Sequence, residues 1–377
     1  MADPLRILIV DDSPLMRRML HDMVADDPDI TVVGEAGDGR TALKLVAELR
    51  PDLITLDVRM PVMDGVETTR QVMAYYPTPI LVLTASLSSH EVDITFQMLG
   101  AGALDVMEKP LLKDAAAVEQ TRRALIRKIK LLARVRVVTH LRGRRKNPDP
   151  EPQETNPTVQ TAKASLESST KPAPPARSES PFPLVVIGAS TGGPGVVRQI
   201  LAGLPAGFAG AVLVVQHIAA GFSSGMSEWL GLTSDMPVTL ATEGMALRPG
   251  CVLVAPDRCD IMITEDHLVH LSHSPLLLQR PSIDIAMQSA AEVFGRRTLG
   301  VLLTGMGRDG AIGMQSIRKR GGFTIAQNEA TCAIYGMPRA AIELNAVDQI
   351  LPPEQIITLL IERVGRRSSS RQVVQHV

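Results

Sequence analysis

Residues Leu53–Gly65 read LITLDVRMPVMDG, an apolar run that ends at an aspartate and leads into a turn containing proline and a second aspartate. The segment Asp52–Asp57 has the length and composition of a buried strand. Similar short runs occur at Arg6–Val10, Ile80–Thr84 and Leu104–Met107, and amphipathic segments of helical length separate the runs. This alternation predicts an α/β domain whose parallel strands are joined by right-handed crossovers. The predicted helices are Pro14–Ala25, Gly39–Leu49, Val66–Ala74 and His90–Leu99.

Polar residues follow several of these predicted strands. Asp11 and Asp12 follow the first strand, Asp57 ends the strand quoted above, and Lys109 follows the last. In parallel sheets, functional side chains collect at the carboxyl ends of the strands. A single aspartate there is commonly a helix cap. Clustered carboxylates repel one another, however, and Mg²⁺ removes that cost. We therefore expect Asp11, Asp12 and Asp57 to bind Mg²⁺, with Asp57 as a nucleophile toward a phosphoryl group whose oxygens contact Lys109 and the Thr84 hydroxyl.

This ordered set resembles the receiver domain of bacterial response regulators, which has a flavodoxin-like parallel sheet. The motifs that carry the resemblance are Asp11-Asp12, LITLDVRMPVMDG, LVLTAS and MEKP. The resemblance implies phosphorylation of Asp57 by a histidine kinase. One position departs from the family pattern, because Val106 and Met107 stand where receivers usually carry Tyr or Phe before the lysine. A switch by aromatic rotation is therefore not expected, whereas a phosphoryl-coupled shift of the loop after Thr84 is.

Composition divides the chain into segments. Nine of the 27 prolines fall between Arg144 and Pro183, among Ser, Thr, Glu and Lys. Such a segment cannot bury enough apolar surface to offset its ordering entropy, so a tether is predicted. The predicted organisation is a receiver over 1–125, a basic helix end and Pro-rich linker over 126–183, a second domain over 184–365 and a polar tail over 366–377.

The formal net charge of −1 hides an uneven distribution. Residues 1–118 hold 10 Lys or Arg against 19 Asp or Glu, a net of −9, whereas residues 184–377 hold 15 of each. The positive surplus lies between, mostly in Arg122–Lys146, and is expected to be the solvated face of a last helix. Contact of that run with nucleic acid or anionic lipid is the alternative. The neutral second domain shows no helix-turn-helix pattern, so a DNA-binding output is not expected.

Cysteine content and hydropathy indicate the compartment. The three cysteines form no CxxC pair, which fits a reducing environment. The N-terminal apolar run is short and acidic-flanked, unlike a signal peptide. No apolar run reaches the roughly 18 residues of a membrane span. We therefore expect a cytoplasmic protein without membrane insertion.

The second domain begins with PLVVIGASTGGP, Pro183–Pro194, a strand that runs into a glycine-rich turn. Ser190 in this turn would have an exposed hydroxyl, and backbone N–H groups from Thr191 onward could stabilise an oxyanion. His217 ends the next predicted strand, and Asp309 follows the strand Leu299–Thr304 in the loop GMGRDG. These residues could form a Ser-His-Asp triad, although spacing alone leaves other interpretations open.

Two alternatives compete with the triad. Gly188, Gly192 and Gly193 could form a dinucleotide phosphate turn, but the next strand ends in Gln216-His217 and offers no acidic residue to a ribose hydroxyl. A metal site could use three histidines, although their spacing is more typical of an exposed hairpin strand. They are His267, His270 and His273.

The motifs IGASTGGP, VVQH, RPSID, LTGMGRDG and IAQNEATCAIYGMP resemble the catalytic domain of chemotaxis protein-glutamate methylesterases and span nearly all of 184–350. The resemblance implies a doubly wound parallel sheet, with Ser190 as nucleophile, His217 as base and Asp309 as the orienting acid. It further implies that the backbone N–H of Met306 holds the oxyanion, that Asp284 lies near the cleft, and that this domain needs no cofactor.

Together the two resemblances imply a phosphorylation-activated hydrolase. Its substrates would be glutamate γ-methyl esters, and also glutamines, on the cytoplasmic helices of methyl-accepting chemotaxis receptors. The receiver would block the esterase site until a histidine kinase phosphorylates Asp57. We expect a monomer that binds no nucleic acid. The alternative is a degenerate, partner-binding output domain without enzymatic activity, which the intact Ser190, His217 and Asp309 disfavour.

Overall fold

The computed structural model describes residues 3–85, 89–110, 115–135, 137, 182–274 and 280–365. No helix within these ranges is long and apolar enough to cross a membrane. The predicted Pro-rich linker beyond residue 137, most of the loop after Thr84, and the predicted tail over 366–377 lie outside the described residues.

The N-terminal domain is a five-stranded parallel sheet with the order β2-β1-β3-β4-β5 and helices between consecutive strands. Strands β3 and β4 are buried along their whole length, as expected for central strands covered on both faces. The strands are β1 Leu5–Val10, β2 Ile30–Ala36, β3 Leu53–Asp57, β4 Ile80–Thr84 and β5 Asp105–Glu108. The helices are α1 Pro14–Ala25, α2 Gly39–Leu49, α3 Gly65–Tyr75, α4 Ser89–Gly100 and α5 Ala115–Leu132.

The sequence prediction of this domain gave no bounds for β2. This strand lies at the sheet edge and is only partly buried, so its ITVVGEA sequence has neither a continuous apolar run nor clean alternation. The last helix, α5, includes the start of the predicted basic helix end after residue 125. Its residues Ile129 and Leu132 are fully buried in the receiver core.

The C-terminal domain is a seven-stranded parallel sheet with the order β14-β13-β12-β6-β7-β9-β8. The direction of winding reverses at β6, where ligands bind in open sheets of this kind. The α/β prediction is confirmed for both domains. The strands are β6 Leu184–Ala189, β7 Ala211–Gln216, β8 Val238–Leu240, β9 Val252–Val254, β10 Asp260–Ile263, β11 Val269–Ser272, β12 Thr298–Leu302, β13 Phe323–Gln327 and β14 Gln349–Leu351. The helices are α6 Gly193–Gly203, α7 Ser223–Gly231, α8 Ile283–Phe294, α9 Ala311–Lys319, α10 Met337–Glu343 and α11 Pro353–Val364.

Strands β10 and β11 form a separate antiparallel hairpin, which carries the histidines considered as a metal site. His270 pairs with Glu243 at 3.1 Å, whereas His267 packs against the rings of Phe182 and Phe294. Among the described residues, the histidines do not gather into a group with metal-ligand spacing.

The two domains pack directly on one another. Phe96 of α4 is fully buried, with its ring centroid 5.3 Å from that of Trp229 and 6.3 Å from that of Phe222. The closeness of this packing is clear at Gly225 of α7, where an added Cβ would lie 2.0 Å from a methyl group of Val92. We call this contact the α4–α7 interface, defined by Val92 and Phe96 on one side and Phe222, Gly225 and Trp229 on the other.

A second contact joins receiver strand β5 to the turn after β6. The Gly192 N–H donates to the Leu104 carbonyl at 3.1 Å, and the Thr191 hydroxyl donates to Asp105 at 2.9 Å. Asp105 also accepts a hydrogen bond from Lys128 of α5. The receiver is therefore hydrogen-bonded to the residues that immediately follow Ser190.

Candidate active site

Ser190 occupies the strand-to-helix turn at the switch point of the second sheet. Its N–H donates to the carbonyl of Thr304 at 3.0 Å, and the residue is buried, with 7% of its surface exposed. The turn depends on Gly192, whose φ of +74° is strained for residues with a Cβ and whose added Cβ would lie 2.5 Å from that of Ala333. Helix α6 begins directly after this turn, with Pro194 in its first turn. The nucleophile candidate thus sits on a tightly constrained backbone.

His217 follows β7, the neighbour of β6. The register pairs Ala189 with Gln216, and the His217 N–H donates to the Ala189 carbonyl at 2.9 Å, so Ser190 and His217 are adjacent at the sheet edge. The ring Nε2 lies 2.8 Å from Oδ2 of Asp309. Because a carboxylate only accepts, Nε2 carries the proton and Nδ1 is the basic nitrogen. Nδ1 is buried and has no hydrogen-bond partner among the described residues.

Asp309 lies beneath the start of helix α8. It accepts hydrogen bonds from the N–H groups of Ile283 at 2.8 Å and Asp284 at 3.0 Å, and from the Ser282 hydroxyl at 3.1 Å. Burial alone would raise the pKa of Asp309, but the hydrogen bonds from His217 and from these backbone groups hold the pKa below its usual value. Asp309 is therefore a carboxylate, held in place by a helix N-terminus.

Asp284 is a second carboxyl beside Asp309. Burial, together with the negative charge of Asp309, raises the pKa of Asp284 to about 6, against a hydrogen bond that its Oδ1 accepts from the Gly313 N–H at 2.7 Å. The resemblance implied a place for Asp284 near the cleft, and the sequence predicted that it caps or neighbours a helix; it lies in the first turn of α8. Ser282 was missed entirely, although its place before a helix is typical of an N-cap, and it does cap α8.

The two predicted oxyanion donors also border the site. Thr191 and Met306 line the same cavity as Ser190 and His217, and the Met306 side chain is 42% exposed. In the part of the chain that the structure describes, neither the Thr191 N–H nor the Met306 N–H has a hydrogen-bond partner. Both are thus available to a ligand.

The cavity has a volume of about 680 Å³, and the receiver forms one of its walls. On the receiver side it is lined by β5 and by α5, including Arg127 and Lys128. A substrate side chain that reaches Ser190 through this cavity would therefore lie between the two domains.

The carboxylates of the receiver also converge. Asp11, Asp12 and Asp57 offer ligand oxygens within 4.8 Å of one another, and Lys109 Nζ lies 2.7 Å from Asp11 and 2.8 Å from Asp57. Burial raises the pKa of Asp57 to about 6, opposed by Lys109 and reinforced by Asp11. Three carboxylates against one ammonium group leave an excess of negative charge and only hard oxygen donors. These residues therefore fit Mg²⁺.

Thr84 lies at the end of β4, the neighbour of the strand that ends in Asp57. It is almost fully buried, and its hydroxyl donates to Glu91 of α4 at 3.1 Å. Glu91 also pairs with Arg59 at 3.3 Å. The structure thus brings Thr84 to the predicted edge and links it to α4, a link that the sequence did not indicate.

Comparisons with known proteins identify the family of each domain and of the whole chain. The family "CheB methylesterase" matches residues 185–360, and the family "Response regulator receiver domain" matches residues 7–119. A "Protein-glutamate methylesterase/protein-glutamine glutaminase 1" of Syntrophus aciditrophicus is 40% identical over 96% of this chain and 99% of its own length. A protein of the same description, numbered 2, from Anaeromyxobacter dehalogenans is 42% identical over 95% of this chain and 97% of its own length. The crystal structure of the Thermotoga maritima CheB methylesterase catalytic domain is 36% identical, with a TM-score of 0.47, and covers 48% of this chain and 99% of that one.

Fold and site together define a response regulator whose output domain is a hydrolase. The chain belongs to the protein-glutamate methylesterase/protein-glutamine glutaminase family. In general, a receiver domain implies Mg²⁺ binding and a histidine kinase as phosphodonor, and a methylesterase domain implies a chemoreceptor substrate.

Proposed function

We propose that this chain hydrolyses glutamate γ-methyl esters, and deamidates glutamines, on the cytoplasmic helices of methyl-accepting chemotaxis receptors. The observation that carries the proposal is the His217–Asp309 hydrogen bond of 2.8 Å beside Ser190, at the ends of adjacent parallel strands. The full-length similarity to relatives that are named for both activities supports it. In this proposal the chain acts as a cytoplasmic monomer.

The reaction follows from the tautomer of His217. Nδ1 accepts the Ser190 hydroxyl proton as Oγ attacks the ester carbonyl. The free N–H groups of Thr191 and Met306 donate hydrogen bonds to the oxyanion that develops on the carbonyl oxygen. The proton then passes to the leaving group, which departs as methanol from an ester or as ammonia from an amide. Water attacks the acyl-enzyme with Nδ1 again as base, and Ser190 leaves with its proton restored.

Asp309 supports this cycle and remains an ionised carboxylate throughout. Its carboxylate holds the Nε2 proton and stabilises the imidazolium that forms when Nδ1 is protonated. The N–H groups of Ile283 and Asp284 and the Ser282 hydroxyl fix its orientation. The hydrogen bonds that lower its pKa also keep it ionised.

The receiver would control this site through Asp57. Asp11, Asp12 and Asp57 would hold Mg²⁺, which neutralises their charge and that of an incoming phosphoryl group. Asp57 would accept the phosphoryl group from a histidine kinase, and Lys109 and Thr84 would contact its oxygens. These roles rest on the convergence of the side chains at one sheet edge.

Inhibition would come from the position of the receiver. It lines one wall of the 680 Å³ cavity, binds the turn after Ser190 through Asp105, and buries Phe96 in the α4–α7 interface. A helical substrate about 10 Å wide needs open access to Ser190. Release of the receiver would give that access.

The link between the two sites would run through Thr84, Glu91 and helix α4. When Thr84 turns toward a phosphoryl group, Glu91 loses its hydrogen bond from the Thr84 hydroxyl. Glu91 lies one residue before Val92 and one helical turn and a residue before Phe96, the receiver side of the α4–α7 interface. This route does not use an aromatic side chain at position 106, where the chain has a buried Val106.

The decisive test measures methanol released from methylated receptor membranes by the full chain in the presence of Mg²⁺ and a phosphodonor. Ser190→Ala should lower release by about 10³-fold or more, because no other group can replace the nucleophile. The variant should still accept phosphate on Asp57, which controls for folding of the receiver. A Ser190→Ala protein as active as the parent would exclude this mechanism. Absence of release by a phosphorylated parent would favour the non-enzymatic, partner-binding output.

A further inference from the structure

Gln216, the last residue of β7, has a side chain that the reaction above does not use. It is 3% exposed and lies between Ser190 and His217. Its Nε2 donates to the Ser190 carbonyl at 2.7 Å and to the His217 carbonyl at 2.9 Å. One amide nitrogen therefore holds the backbone of both the nucleophile and the base.

The orientation of this amide is unambiguous. Both partners are carbonyl oxygens, which only accept, so the NH₂ group and not Oε1 must face them. The Oε1 atom is buried and has no partner among the described residues. The two hydrogen bonds that the NH₂ group donates therefore hold the side chain in one orientation.

The surroundings are shaped around the same side chain. An added Cβ on Gly193 would lie 2.6 Å from Gln216 Oε1, so glycine leaves the space that the amide occupies. The Gly193 N–H also donates to the Ser190 carbonyl at 2.8 Å, which gives that carbonyl two donors. The His217 carbonyl has no second donor within the described part of the chain. Loss of the Gln216 amide would thus leave the backbone of His217 less restrained than that of Ser190, whose carbonyl keeps the Gly193 N–H.

We propose that Gln216 is a positioning residue that sets the separation between the Ser190 hydroxyl and His217 Nδ1 by holding the two backbone carbonyls. The proposal rests on the proposed function of Ser190 and His217. Small displacements of reacting groups are costly, since about 1 Å can lower a rate about 100-fold. Gln216 itself touches neither substrate nor the reacting atoms, so its effect must pass through the geometry of the pair.

The test uses a fluorophosphonate probe, which phosphonylates an activated serine with loss of fluoride. We would measure its second-order rate of reaction at Ser190 by mass spectrometry in the phosphorylated full chain. Gln216→Met keeps the volume and removes both donors, and we expect a rate about 30-fold lower. Thr298→Val is the control, because Thr298 is also a buried polar residue of this sheet that donates to a backbone carbonyl, that of Ala290 at 3.1 Å, but it stands at the start of β12, the opposite end of the strands from Ser190. We expect its rate to stay within about threefold of the parent.

Gln216→Glu gives a signature that a purely structural role would not produce. Below its pKa, which burial raises, the new carboxyl keeps one O–H donor; above it, the carboxylate repels both carbonyls. The ratio of variant to parent rate should therefore fall about tenfold between about pH 6 and about pH 9. If Gln216→Met does not fold, this pH dependence alone tests the positioning role. Equal rates for Gln216→Met and parent, or a ratio for Gln216→Glu that is independent of pH, would overturn the proposal. A parent that is not labelled at Ser190 would instead overturn the proposed function itself, and the positioning role with it.

Discussion

The two nucleophile candidates occupy equivalent places in two different sheets. Asp57 ends β3 and Ser190 follows β6, each at the carboxyl edge of a parallel sheet. At Asp57 the nucleophile is itself a carboxylate, and the surrounding groups must neutralise an excess of negative charge. At Ser190 the nucleophile is neutral, and His217 and Asp309 must take a proton away from it. The same edge of the same kind of sheet therefore supports opposite electrostatic tasks.

The difference also explains how the sites can be coupled. The receiver site gains about one negative charge on phosphorylation, because an acyl phosphate dianion replaces the Asp57 carboxylate, whereas the esterase site needs only access and fixed geometry. A charge change can move Thr84 and Glu91, and the contacts of α4 and β5 with the esterase domain can turn that movement into access.

The largest effect should distinguish the two aspartates. Asp309→Asn removes the charge that holds the correct tautomer of His217, so kcat for demethylation should fall about 10³- to 10⁴-fold. Asp57→Asn should leave the basal rate intact and remove only its stimulation by a phosphodonor. Demethylation rates with and without phosphodonor check both variants. Loss of basal activity in Asp57→Asn, or retention in Asp309→Asn, would break the division of roles.

Next in size is the α4–α7 interface. Phe96→Ala removes the ring that stacks on Trp229, so the inhibited arrangement should lose stability and the basal demethylation rate should rise about tenfold. The control is Tyr75→Ala on α3, because this aromatic side chain is 49% exposed. A basal rate unchanged by Phe96→Ala would show that this contact does not restrain the enzyme.

The coupling route should give a smaller change. Glu91→Ala removes the acceptor of the Thr84 hydroxyl, so phosphorylation of Asp57 should stimulate demethylation about threefold less than in the parent. Asp93→Ala, an exposed acidic residue on the same helix, controls for charge near the α4 N-terminus. Equal phosphorylation of both variants must be verified by mass spectrometry. If Glu91→Ala responds as fully as Asp93→Ala, α4 receives the signal by another contact.

The smallest effect concerns Asp284 and protein stability. Its pKa is raised in the folded chain to about 6 from 3.8, so the folded state binds more protons than the unfolded state between these values. The stability contribution of this group therefore falls as pH rises through that window. Asp284→Asn should abolish the fall and gain about 1 kcal/mol over the parent by pH 7, after allowance for solvent screening. Urea unfolding at pH 4 and pH 7 would show it, with exposed Asp266→Asn as control.

Sequence reasoning reached most of the two sites because their residues follow buried strands. Asp57, Thr84, Lys109, Ser190 and His217 all stand at strand ends that apolar runs reveal, and parallel pairing brings such ends together. Sequence reasoning could not predict the features that depend on contacts between distant segments of the chain. The Asp105–Thr191 hydrogen bond, the hydrogen bond from Ser282 to Asp309, and the burial of Phe96 against Trp229 have no local signal. The bounds of the partly exposed edge strand β2 could not be predicted for the opposite reason, since its local pattern is weak.

Phosphorylation at Asp57 is expected to separate the receiver from the esterase domain. Trp229 is the only tryptophan of the chain and stacks on Phe96 across the α4–α7 interface, so its fluorescence reports that contact directly. Beryllium fluoride and Mg²⁺, added as a phosphoryl mimic, should shift Trp229 emission toward that of an exposed indole in step with the rise in demethylation, and Asp57→Asn should show neither change. A rise in demethylation with unchanged Trp229 emission would contradict the account.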